Sequence, residues 1–105
     1  MISRNWTKLD AVVDKDGIHA TRIYDLPEGQ IMHLKLSAGA GLKPHKTPVN
    51  VAFYILEGEA TVEIGDERVA YAKDTIIESP RDIPHAIYNE TDSDVRLLVI
   101  KMPKP

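Results

Sequence analysis

Apolar residues in this chain almost nowhere recur at helical spacing for three turns. They come in short runs, cut off by proline, glycine or clusters of turn-forming residues. That pattern excludes parallel α/β folds, which need long crossover helices, and makes strands the main element. Ile31–Leu36 alternates, with Met32, Leu34 and Leu36 on one face and His33 and Lys35 on the other. Val49–Leu56 is nearly continuous apolar and is bounded by Pro48 and Gly58, so it is predicted to be buried on both faces. Ala60, Val62 and Ile64 alternate with Thr61 and Glu63 ahead of Gly65-Asp66 and Glu67–Tyr71, the pattern of a hairpin with a two-residue turn. Val95–Ile100 follows a turn-forming run over Asn89–Asp94. With Ile18–Tyr24, Thr75–Glu78 and Pro84–Tyr88 these make at least seven short strands, which favours an all-β sandwich or closed barrel. The tail Met102–Pro105 carries two prolines and is predicted to fray.

Splitting 105 residues between two cores would leave neither half enough apolar mass, so residues 1–105 are expected to form one domain. Hydrophobic residues at 43% and charged residues at 28% suit a folded, soluble chain rather than a disordered one. The net charge of −3 is spread along the sequence without a basic run, so nucleic acid is not an expected partner. The absence of cysteine removes disulfides, thiolate metal ligands and thiol nucleophiles together. No apolar stretch opens the sequence or reaches membrane-spanning length, and the chain is expected to be cytoplasmic and without a membrane partner.

Two stretches carry more specific information. Ala38-Gly39-Ala40-Gly41-Leu42-Lys43-Pro44-His45 precedes Phe53-Tyr54-Ile55-Leu56-Glu57-Gly58, and Pro80-Arg81-Asp82-Ile83-Pro84-His85-Ala86-Ile87-Tyr88-Asn89 lies downstream. The first resembles the leading cupin motif, which runs from glycine through a His-x-His pair and a glutamate to a strand ending in Leu-Glu-Gly. The second resembles the later cupin motif, with its Pro-His step and an asparagine four residues on. Both occur in order, and with the hairpin between them the resemblance spans about residues 30 to 100. It implies a cupin-type double-stranded β-helix, a jelly-roll barrel, in the form of a small single-domain cupin with a degenerate metal motif.

The departures bear on function. Metal-holding members of the family take two histidines and a glutamate from the first motif and one histidine from the second. Aligned on Tyr54–Gly58, the first histidine is His45, the second position holds Thr47 and the glutamate position holds Asn50, while His85 supplies the later motif. Asp82 stands where glycine is common, and an additional residue near Lys73-Asp74 is expected to bulge the strand. First-row metals in oxygen and nitrogen sites are usually held by three or four ligands, often with a carboxylate. His45 and His85 alone therefore imply at most a weakly bound divalent transition metal (Fe, Mn, Zn or Ni), unless His33, His19, Glu78 or Asp82 completes the shell. His33 is the first candidate, with a plain surface histidine as its other reading.

Without metal, His45, His85, Thr47 and Asn50 would form a polar cluster in an apolar barrel, with Tyr54 sent inward by strand alternation from Asn50. Imidazoles, a hydroxyl and an amide suit a small polar organic molecule such as a sugar, keto acid or carboxylate. Asn89, at the start of a turn, is expected to bond local backbone, and the isolated Trp6 to meet a second subunit. Three functional classes stay open: a ligand-binding barrel, a cupin enzyme of dioxygenase, isomerase or decarboxylase type, and a dimeric structural or regulatory module. The enzyme would use His45 and His85 on a metal, or His85 as a metal-free acid or base. A homodimer is expected because Val49–Leu56 offers apolar residues on both faces.

Overall fold

The computed structural model describes residues 1–105. Its one helical element is a single 3-10 turn at Trp6–Lys8; the rest is strand and turn. The strands are β1 (Val13–Lys15), β2 (Ile18–Leu26), β3 (Gly29–Leu36), β4 (Gly41–His45), β5 (Asn50–Glu57), β6 (Glu59–Ile64), β7 (Glu67–Ala72), β8 (Ile76–Ser79), β9 (His85–Tyr88) and β10 (Val95–Met102). They form a six-stranded sheet in the order β1-β2-β3-β10-β5-β8 and a four-stranded sheet in the order β4-β9-β6-β7. Every pairing is antiparallel. No helix is long and apolar enough to cross a membrane.

The strands follow from the alternation in the sequence. Leu34, Leu36, Phe53, Ile55, Val95 and Leu97 sit at every second position of β3, β5 and β10 and meet Val62 and Ile87 of the other sheet in one core. Phe53 is 2% exposed and Ile55 and Leu97 are fully buried, and burying each such side chain stabilises the fold by about 1.5–3 kcal/mol. The hairpin β6–β7 closes through Gly65-Asp66 as expected, with Ile64 paired to Glu67.

Several expectations are corrected. Segment β5 is buried on one face only: Val51, Phe53 and Ile55 turn inward, while Ala52, Tyr54 and Leu56 stay half-exposed. The additional residue near Lys73-Asp74 produces no bulge in the β5–β8 ladder, because the turn absorbs it with Asp74 in the left-handed conformation at φ 69°. Asp82 adopts φ 62°, the backbone state for which the family's glycine is suited. The tail does not fray completely. Strand β10 runs to Met102, Lys104 N–H donates to the Pro27 carbonyl at 3.3 Å, and Lys104 Nζ pairs with Asp25 at 2.7 Å. Trp6 is not isolated either: its ring stacks on His33 with centroids 4.2 Å apart. Strands β1 and β4 lie outside the runs assigned from sequence. The Asp16-Gly17 dipeptide, a strong hairpin signal, announced the first.

Candidate functional site

Strand β9 pairs with β4, setting His45 opposite His85 across the ladder, and both imidazoles turn to the space between the sheets. His45 Nε2 and His85 Nε2 are 3.3 Å apart, and Thr47 Oγ1 is also 3.3 Å from His85 Nε2. Ser79 Oγ lies 2.8 Å from His85 Nδ1. The chemistry of each partner fixes the direction of this chain. A carbonyl can only accept, so His45 Nδ1–H donates to Lys43 O at 3.2 Å, which leaves His45 Nε2 as an acceptor in the neutral ring. His85 Nε2–H then donates toward His45 Nε2 and Thr47 Oγ1, and His85 Nδ1 accepts from the Ser79 hydroxyl. Burial, followed by the neighbouring His45 and Lys101, holds the His85 pKa down at about 4, so the imidazole is neutral at neutral pH.

A cavity of about 140 Å³ adjoins these histidines. Ten of its thirteen lining residues are hydrophobic, among them Ile18, Met32, Leu34, Phe53 and Val99; the polar ones are His45, His85 and Lys101. His45 is exposed and His85 buried, so the histidine pair runs from the solvent side of the cavity inward. Lys101 continues the inward face of β10 after Val95, Leu97 and Val99, the i+2 spacing by which the sequence could have revealed it. Ser79 carried no such local signal: it reaches His85 only because β8 pairs with β5, setting it beside Val51.

The site drawn from sequence is thus partly assembled. His45, His85 and Thr47 come together. Asn50 and Tyr54 do not: both fall on the opposite face of β5, where Asn50 Oδ1 accepts from Arg81 N–H at 2.9 Å and Tyr54 lies between Leu98 and Ile76. The inward residue is Val51, one position on, and one residue is enough to reverse the face. His33 is neither a third ligand nor a surface residue. It is 1% exposed on the outer face of the six-stranded sheet, beneath Trp6, with Arg96 Nη1 donating to its Nε2 at 3.0 Å. His19 meets the same tryptophan edge-on. Glu78 pairs with Ala52, on the face turned away from the cavity, and Asp82 is an exposed turn residue whose N–H donates to Thr47 O. Asn89 has the structural part expected of it, donating to Leu36 O and Ser93 O and accepting from Thr91.

The residues present do not fit a resident metal ion. They offer two imidazoles and a neutral hydroxyl, no group of three metal-ligating side chains exists, and the inward position of β5 is valine.

Two antiparallel sheets closed around a cavity, with one histidine from each of two motif strands at its rim, define a jelly-roll barrel of the double-stranded β-helix class. Residues 32–101 match the cupin domain, and the chain belongs to the cupin family. Among solved structures it is similar to TT1209 from Thermus thermophilus, with 24% identity, all of both chains covered and a TM-score of 0.87. It is similar to KdgF from Halomonas sp. at 18% identity, over 94% of this chain and 90% of that one, with a TM-score of 0.85. The polyketide cyclase RemF from Streptomyces resistomycificus shares 20% identity over 99% of this chain and 81% of its own, with a TM-score of 0.82. No curated protein sequence matches the chain. At these identities the likeness is one of fold.

Proposed function

We propose that this protein is a cupin barrel that binds a small organic molecule in the cavity between its sheets, with His45 and His85 as the polar end of the site. One observation carries this reading: a hydrogen-bonded His45–His85–Ser79–Thr47 cluster borders a cavity whose other walls are almost entirely apolar. The same geometry speaks against the enzyme readings. A metal-dependent reaction lacks the carboxylate and the third ligand. Metal-free acid–base catalysis by His85 is disfavoured because both its ring nitrogens are engaged within the protein and its pKa lies well below neutral pH. The aliphatic lining also disfavours a sugar, whose hydroxyls would lose water without finding partners.

The test is a fragment titration followed by nuclear magnetic resonance of the histidine rings. Compact organic molecules are expected to shift the imidazole signals of His45 and His85 while leaving those of His19 and His33 in place. Ligands that shift only the outer-face histidines, or none of the four, would refute the assignment.

A further inference from the structure

Lys101 is the polar group of the cavity that the histidine cluster does not absorb. It sits on the inward face of β10, in register with Gln30 of β3 and Val51 of β5. It is half-buried, and no carboxylate pairs with it. Lys104, three residues on, contrasts with it by pairing with Asp25 at 2.7 Å. The neighbouring groups that act on Lys101 do not offset its isolation. Arg22 of β2 repels it, and the imidazoles of His45 and His85 bring no negative charge. Burial first, and Arg22 second, therefore hold the Lys101 pKa below its ordinary value. A buried or half-buried ammonium without a counter-ion is costly, and a bound anion would offset that cost.

Shape gives the rest of the ligand. The cavity of about 140 Å³ is close to the ~150 Å³ of an apolar cavity that accepts benzene, and its walls beyond Lys101 and the two histidines are Val, Ile, Leu, Met, Ala and Phe side chains. Resting on the small-molecule reading given above, we infer that the ligand is a compact monocarboxylate, its carboxylate held by Lys101 beside the histidine pair and its apolar body in the cavity. Phosphate esters and polyols fit poorly, because most of their polar surface would meet hydrocarbon.

Benzoate and benzamide test this directly, being nearly the same size and differing in charge. Both are titrated into the wild-type protein and into Lys101→Met and Lys101→Gln, with the His45 and His85 ring signals as readout. Benzoate is expected to bind wild type about tenfold or more tightly than benzamide, in keeping with a charged hydrogen bond. Both variants are expected to lower benzoate affinity to the benzamide level while leaving benzamide affinity within about twofold. Retained benzamide binding shows that a variant is folded. Equal binding of the two probes by wild type, or unchanged benzoate affinity in both variants, overturns the carboxylate assignment and leaves the cavity reading standing. If neither probe nor toluene perturbs the two rings, the cavity reading itself fails and the inference falls with it.

Discussion

His33 lies on the outer face of the six-stranded sheet and His85 on β9 of the four-stranded sheet, turned to the cavity, yet burial does the same thing to both: each is held neutral with a pKa of about 4. For His33 the burial effect is reinforced by Arg96, His19 and Lys35 and opposed by Glu57. Arg96 donates to His33 Nε2, so the ring proton stays on Nδ1, which has no partner, and a second proton would face the guanidinium. The consequence for stability has a definite sign. Between pH 6.5 and about 4 the unfolded chain takes up these protons and the folded chain does not, so stability falls as the pH drops through that window. The loss is on the order of 2–3 kcal/mol for each histidine. Urea denaturation at pH 7 and pH 4.5 checks it, and replacing His33 by Phe is expected to flatten the dependence by roughly half. Equal stability at the two pH values would mean that neither ring is as dry as the structure places it.

At the scale of elements, strand register decides which residues can act. The alignment on Tyr54–Gly58 assigns the family's glutamate to position 50, but the pleat turns Asn50 outward and gives the inward position to Val51. Thr47→His combined with Val51→Glu is therefore expected to raise nickel or manganese affinity by about a hundredfold or more over wild type. Thr47→His with Asn50→Glu is expected to gain far less, and calorimetric titration compares the two. A second element-scale prediction concerns the end of β5. Gly58 has φ 78°, and a Cβ there would stand 2.7 Å from the Asp94 carbonyl oxygen, whereas Gly39, with φ 79°, has open space around it. Gly58→Ala is thus expected to cost about 2 kcal/mol or more and Gly39→Ala only about 1 kcal/mol, as read from urea midpoints.

For the whole molecule, the outer face of the six-stranded sheet stands out. Ile31 and Ile100 pair across β3 and β10, and Tyr54 sits between Leu98 and Ile76 on the same face, with Ile76 58% exposed. The amino-terminal segment covers only the part near His33, through Trp6. We expect a second copy of the chain to cover the remainder, with the half-exposed residues of β5 at the contact. Sedimentation at micromolar concentration is expected to show a dimer, and Ile76→Lys to weaken it. A monomeric wild type would refute the assignment.

Local pattern made much of this protein legible. Short apolar runs with period two placed most of the strands and Gly65-Asp66 placed a hairpin, because these signals act over a few residues, while the resemblance to the two cupin motifs brought His45 and His85 together. Other features depended on contacts between distant segments. Whether β5 buries Asn50 or Val51 is set by its pairing with β8 and β10; Ser79 reaches His85 only through that packing; and Trp6 finds His33 across a turn of the chain. Residue pattern thus favours an all-β sandwich or barrel, and the resemblance to the cupin motifs implies two histidines at a common site. That Asn50 and Tyr54 leave this site, that Ser79 joins it and that it contains an unpaired lysine follow from packing, because only the closed sheets fix which face of each strand is cut off from water.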